Sequence, residues 1–140
     1  MIARLQVSEH RRRREKGAAL VEGALVMLVF LALIFGLMDF GRMVWVYTTI
    51  ANGAREATRY AMVNGTASGH PASVAQIQAI VPSRSPGLDS SCLTTTVTFN
   101  PNQSAGSTVK VSVSYSFTPL APYIPGPITL KSSSQMMIYQ

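Results

Sequence analysis

The longest apolar run in the chain lies near its N-terminus, over residues 17–38, and one charged residue, Glu22, interrupts it. An α-helix rises about 1.5 Å per residue, so this run would span roughly 33 Å as a helix, close to the thickness of a bilayer core. The pattern predicts a transmembrane helix over residues 18–38.

Helical periodicity continues beyond the apolar run, over residues 39–64. Apolar side chains recur there at intervals of three and four, at Val44, Tyr47, Ile50, Ala51, Ala54, Ala57, Ala61 and Met62. Asn64 and Gly65 then provide a helix stop signal. We therefore expect one continuous helix that begins near Gly17 and has an amphipathic second half.

The second half of the chain changes to other elements. Ser73 and Gln76 have the spacing of a capping box, which predicts a short helix over residues 73–81 that ends at Pro82. Apolar and polar residues then alternate, which predicts strands over residues 92–99, 107–118 and 128–139. We expect an α+β fold, in which residues 65–140 form a small extracytoplasmic domain with an antiparallel sheet packed on the helical stripe.

Positive charge is concentrated at the N-terminus. Of the formal net charge of +6, residues 1–16 contribute +4, from six basic and two acidic side chains, and residues 17–140 contribute +2, from six and four. A basic tail before an apolar helix orients the helix with its N-terminus in the cytoplasm and its C-terminus across the membrane. We expect residues 1–17 to form a basic cytoplasmic leader, in which residues 1–16 are disordered or loosely bound to the membrane surface. No aromatic side chains interleave with Arg11–Arg14, so we expect no nucleic-acid partner.

Residue patterns that carry enzyme chemistry are absent from the sequence. The two histidines, His10 and His70, have no partner at metal-ligand spacing, and no nucleophile stands near a base. Cys92 is the only cysteine, so the chain has no internal disulfide. We expect no enzymatic activity, no catalytic residue, no metal site and no cofactor.

Glu22 has two interpretations on physical grounds. A carboxylate at the centre of a membrane helix costs about 2.5 kcal/mol or more, so such a residue usually marks a function. Glu22 lies only about one turn inside the helix, however, where a side chain that reaches the interface costs much less.

The register of Glu22 resembles the type IV prepilin pattern, which has a basic leader, a glycine, and a glutamate at the fifth position after it. The finer resemblance is to TadE-like pseudopilins of the tight-adherence (Flp-type) pilus machinery. Three blocks carry it, Gly17-Ala18-Ala19-Leu20-Val21-Glu22, Gly36-Leu37-Met38-Asp39-Phe40-Gly41-Arg42 and Ala51-Asn52-Gly53-Ala54-Arg55-Glu56-Ala57-Thr58-Arg59-Tyr60-Ala61. The sequence departs from the pattern at Gly23, where many family members have a bulky apolar residue.

The resemblance implies a membrane-anchored, pilin-like fold and a processing site. A prepilin peptidase would cut between Gly17 and Ala18, and Glu22 would become the fifth residue of the mature chain. Glu22 of one subunit would then pair with the Ala18 ammonium of its neighbour and fix the stagger of the packed helices.

Two further charged groups are candidate contacts. Asp39 and Arg42, at i and i+3, form either a local interfacial pair or part of a subunit-packing surface. Arg55, Glu56 and Arg59 are either a solvated edge of the helix or a contact for a partner, with Arg55 and Arg59 on one face.

The sequence thus favours a minor pilin-like subunit of an Flp-type pilus or a related secretion system, in the bacterial inner membrane. Its expected partners are other pilin or pseudopilin subunits, a prepilin peptidase, the inner-membrane assembly platform and the lipid bilayer. The alternative is an uncleaved single-pass anchor that presents an extracytoplasmic binding module.

Overall fold

The computed structural model describes the backbone of residues 2–139 and the side chains of residues 16–139. Its elements are, in chain order, helix α1 (Ile2–Val63), helix α2 (Val74–Ser83), a 3₁₀ turn (Ser90–Cys92), and strands β1 (Leu93–Asn100), β2 (Thr108–Phe117) and β3 (Ile128–Met137). A long apolar helix and a small antiparallel sheet confirm the predicted α+β fold. The chain divides into two units, Met1–Asp39 and Phe40–Gln140.

Helix α1 begins earlier than we predicted. It starts at Ile2, whereas we expected a disordered tail and a helix beginning near Gly17. The tail contains no proline and no glycine before Gly17, and its Leu, Arg, Gln, Glu and Lys residues are all good helix formers, so the backbone can continue the helix through it. The side chains of Arg11–Arg14, and their predicted contact with the membrane surface, lie outside the described residues.

The second unit contains a three-stranded antiparallel sheet in the order β1-β2-β3. In the register of the central strand, Val111 pairs with Val97 of β1 and with Ser134 of β3. Burial alternates along all three strands. One face of the sheet is therefore directed at the core, and the other, rich in Ser and Thr, is exposed to water.

The core lies between this inner face and the second half of α1. The helix contributes Val46, Ile50, Ala54, Ala57 and Ala61, and β2 contributes Val109, Val111, Val113 and Phe117. Three of the five helical residues are alanines, whose small side chains allow the sheet to lie close to the helix axis.

The buried stripe of α1 differs from the predicted one at its start. Val44 and Tyr47 are 46 % and 49 % exposed, whereas Val46 is 4 % exposed. Successive residues are about 100° apart around a helix, so Val44 lies on nearly the opposite side from Val46. The prediction was therefore wrong for Val44 and Tyr47, and the stripe that packs in the core begins with Val46.

Helix α2 begins at the predicted capping box. The Ser73 hydroxyl accepts from the Gln76 backbone N–H at 3.2 Å, and the Gln76 side chain accepts from the Ser73 N–H at 2.9 Å. The helix does not end at Pro82 as we expected, since Ser83 is still helical and the Arg84 N–H donates to the Ile80 carbonyl at 3.0 Å. Pro82 has no amide hydrogen to donate to the Gln78 carbonyl, but the Arg84 amide still closes the last turn.

Helix α1 contacts the β2–β3 hairpin at both ends of the second unit. At one end, the Arg42 guanidinium lies over the ring of Phe117, the last residue of β2. At the other end, the Tyr139 N–H donates to the Met62 carbonyl at 3.1 Å. Arg42 and Met62 are about 30 Å apart along the helix, which matches the roughly 33 Å length of the ten-residue strand β3.

Candidate functional site

The apolar side chains of α1 before Asp39 are exposed in the isolated chain. Leu20, Leu33 and Leu37 are 75 %, 67 % and 74 % exposed. Among the described residues, one helix is long and apolar enough to cross a membrane, and none of its most apolar window is buried. Such a surface needs a cover of lipid or of other helices, since its transfer from water is favourable by about 25 cal/mol per Å².

Glu22 lies beside a shallow apolar hollow on this surface. The hollow is lined by Ala19, Glu22, Gly23, Val26, Met27 and Phe30. Ala19 and Gly23 stand one turn apart, and a Cβ placed on Gly23 would meet nothing within 4 Å. The small side chains thus leave room for a neighbouring helix next to the carboxylate.

The predicted processing site lies in helical backbone. Gly17 and Ala18 are both exposed, and α1 passes through them without interruption. Glu22 follows Gly17 by five residues, or a little over one helical turn.

Asp39 and Arg42 have different environments. Asp39 is only 1 % exposed, whereas Arg42 is exposed and lies with its guanidinium carbon 5.1 Å from the centroid of the Phe117 ring. The contact with Phe117 was not predictable from the sequence, because the two residues are 75 positions apart.

Arg55, Glu56 and Arg59 do not share one environment. Arg55 donates to the Asn52 side chain at 3.4 Å. Glu56 and Arg59 instead line a groove between α1 and α2, together with Tyr60, Val63, Gln76, Ala79, Ile80, Ser83 and Arg84. Arg84 was missed by the sequence analysis, since a single arginine after a short helix carries no pattern. Its presence gives the groove two guanidinium groups and one carboxylate.

Asp89 caps the 3₁₀ turn before β1. Its carboxylate accepts from the Ser91 backbone N–H at 2.9 Å and from the Ser91 hydroxyl at 2.8 Å. These bonds, the backbone bond first, hold the pKa of Asp89 below its ordinary value. Asp89 therefore has a local structural role.

The residues with potential for metal or thiol chemistry are scattered. In the part of the chain whose side chains are described, no group of three or more His, Cys, Asp or Glu residues is placed to hold a metal ion. Cys92 is half-buried, with its Sγ atom 3.8 Å from the Ser91 hydroxyl oxygen.

Residues 17–59 match the family model described as TadE-like protein. Over these residues the chain is similar to TadE-like proteins. The matched residues hold Glu22, its hollow, and the first part of the helix that packs on the sheet, so the predicted resemblance is confirmed over this segment. Neither the comparison with curated proteins nor that with solved structures found a match.

The TadE-like segment associates the chain with the Tad pilus systems, whose TadE-like members are generally not enzymes. Together with the one apolar helix found among the described residues, it indicates a single-pass membrane protein.

Proposed function

We propose that this TadE-like chain is a minor pilin-like subunit that takes part in the assembly of an Flp-type pilus or a related secretion system. One observation carries the proposal. Glu22 is the one charged residue of the exposed apolar run over residues 17–38, and it lies five residues after Gly17 within the TadE-like segment. A plain anchor has no need for a carboxylate at that register.

Maturation by a prepilin peptidase is the first step of the proposal. The cut falls between Gly17 and Ala18, removes the basic leader and leaves an ammonium group at Ala18. The exposure of both residues supports access by another protein.

Pairing between subunits is the second step. A carboxylate within the bilayer costs about 2.5–3.5 kcal/mol near the helix centre, and a nearby cation offsets part of this cost. The Ala18 ammonium of a neighbouring subunit supplies that cation, and the hollow beside Gly23 supports a close approach of the two helices. The pair then sets the stagger between neighbouring subunits.

The extracytoplasmic unit provides the remaining contacts. Asp39 and Arg42 belong to the subunit-packing surface, and Arg55, Glu56 and Arg59 to the surface for a partner. The groove between α1 and α2 supports the partner surface, because it brings Arg59 and Arg84 together. Two guanidinium groups favour an acidic segment of the assembly platform or of another pilin subunit as the partner.

The orientation follows from the charge distribution. The leader, with its net charge of +4, stays in the cytoplasm, residues 18–38 cross the inner membrane, and the sheet lies outside the cytoplasm.

The intact mass of the chain tests processing. The chain is expressed in a host that has its own prepilin peptidase and in the same host without it. We expect a mature chain that begins at Ala18 only in the first host. A chain that retains Arg11–Lys16 in both hosts would refute the processing step.

The role of Glu22 is tested by Glu22→Gln, with Glu56→Gln as its matched control. Both variants replace an exposed carboxylate of α1 by an amide, but Glu56 lies outside the apolar run. We expect Glu22→Gln to reduce crosslinking between the N-terminal helices of neighbouring subunits. Glu56→Gln, which changes the groove and not the apolar run, is expected to leave these crosslinks unchanged. Equal crosslinking of the N-terminal helices in the two variants would show that Glu22 is only an interfacial residue.

The uncleaved single-pass anchor is the second candidate function, and the continuity of α1 favours it. The helix passes through Gly17 and Ala18 without a break, so the cleavage site is not presented as an extended segment. In this case the chain keeps its leader and presents the sheet domain as a binding module. The intact mass separates the two candidates.

A further inference from the structure

The loop between β2 and β3 is an exposed apolar segment. Residues 118–127 contain four prolines and no charged side chain. Leu120 and Tyr123 are 61 % and 52 % exposed, while Ala121 between them is buried. Proline restricts the backbone, so the loop holds its two large side chains outward in a stiff frame.

The loop lies at the same end of the second unit as Phe40, the first residue of that unit. Phe117 and Ile128, which flank the loop, are paired in the sheet, and Phe117 lies under Arg42, the third residue of the unit. The opposite end of the hairpin bonds to Met62, about 30 Å farther along the helix.

This same end is where the chain leaves the apolar run. Residue 38 ends the proposed transmembrane helix, and the turns that follow carry exposed aromatic side chains. Phe40, Trp45 and Tyr47 are 62 %, 49 % and 49 % exposed. Trp and Tyr are enriched at the level of lipid headgroups, where the apolar ring and the polar atom are both accommodated.

Trp45 packs against Gly87, which lies in the loop between α2 and the 3₁₀ turn. A Cβ added to Gly87, whose φ is +82°, would lie 3.1 Å from the indole ring. One edge of the indole is therefore packed, and the rest is exposed.

We propose that loop 118–127 lies in the headgroup layer of the bilayer that α1 crosses, with Leu120 and Tyr123 inserted into the same layer as the exposed aromatic side chains that follow the apolar run. The sheet domain then rests on the membrane at a defined height. The inference rests on the membrane-spanning assignment of residues 18–38 and is independent of processing at Gly17.

Fluorescence quenching in vesicles tests the proposal. The full chain with Cys92→Ser is reconstituted in phosphatidylcholine–phosphatidylglycerol vesicles, and a single cysteine that carries an environment-sensitive dye replaces Leu120, Met137 or Val29. Met137 is the matched control, because it is 62 % exposed and lies at the opposite end of the hairpin. Val29, within the apolar run, reports whether the helix is inserted.

We expect lipids with a nitroxide near the headgroup to quench the dye at position 120 strongly and the dye at position 137 weakly. We also expect the dye at position 120 to emit at a shorter wavelength than the dye at position 137. The unsubstituted chain gives an independent measurement, since Trp45 is its only tryptophan. Its emission is expected to be quenched by the same lipids.

The outcomes are distinguishable. Equal solvent exposure of positions 120 and 137, with Val29 quenched by deep nitroxides, would overturn the loop proposal and leave the transmembrane helix standing. An unquenched Val29 would overturn both. A dye at position 120 that is shielded from water but not quenched, together with crosslinks between copies at that position, would assign the loop to a subunit interface and also overturn the proposal.

Discussion

The guanidinium carbon of Arg42 lies 5.1 Å from the centroid of the Phe117 ring, which joins the first turns of α1 in the second unit to the end of β2. Phe117 is 2 % exposed, so the ring belongs to the core while the cation lies above it at the surface. The geometry is that of a cation–π contact. It holds the base of the β2–β3 loop against the helix.

A double-mutant cycle measures this contact. We expect Arg42→Met to lower the free energy of unfolding, with a coupling to Phe117 of about 0.5–1 kcal/mol. In a Phe117→Leu background we expect Arg42→Met to lower the free energy of unfolding by a smaller amount, because the ring is absent. Urea unfolding of the full chain in detergent, followed by Trp45 fluorescence, provides the measurement. Identical effects of Arg42→Met in both backgrounds would show that the ring contributes nothing.

Gly53 of α1 packs against Val81 of α2 and against Ser85, which follows that helix. A Cβ at this position would lie 3.0 Å from the Ser85 Oγ atom and 3.3 Å from a Val81 methyl group. We expect Gly53→Ala to destabilise the second unit by about 1–3 kcal/mol through overpacking, measured by the same unfolding assay.

Gly41→Ala is the matched control for this crowding. It lies in the same helix, and a Cβ there would meet nothing within 4 Å. We expect this variant to be stabilised by up to about 1 kcal/mol, because alanine is the better helix former. A stabilised Gly53→Ala variant would show that α2 moves aside at little cost.

Ser73 stabilises the start of α2 through its reciprocal bonds with Gln76. We expect Ser73→Ala to cost about 0.5–2 kcal/mol of unfolding free energy. Ser83→Ala is the control, since its exposed hydroxyl only donates to the Ile80 carbonyl at the other end of the helix. Losses of equal size in the two variants would argue against the capping box as the source of the effect.

Asp89 is expected to make stability depend on acid pH. Its two bonds with Ser91 lower its pKa in the folded chain, so the stabilisation is present above the ordinary carboxyl pKa of about 4 and is lost as the pH falls through the lower, folded-state pKa. In Asp89→Asn, the amide oxygen can still accept from Ser91 but does not titrate. We expect its melting temperature to fall less than that of the wild type between about pH 5 and pH 2. Parallel pH profiles of the two chains would exclude this contribution.

The strand patterns and the apolar helix were predictable because their information is local. Alternation places Leu93, Val97 and Phe99 on one face of β1 whatever the strand packs against, and burial follows that parity in the structure. The same holds for Ser73 and Gln76, which are only three residues apart. The register of Glu22 against Gly17 is equally local, and the match to TadE-like proteins covers it.

The contacts between distant segments required the tertiary structure. Local spacing along α1 led to a predicted stripe through Val44, whereas the packed core takes in Val46 instead. The groove that joins Arg59 to Arg84 depends on how α2 packs against α1. The placement of the β2–β3 loop near Arg42 depends on the direction in which the hairpin lies along the helix. A sequence pattern fixes the face of an element through its own repeat of 3.6 or 2 residues, but the partner of that face is determined by the packing of the whole unit.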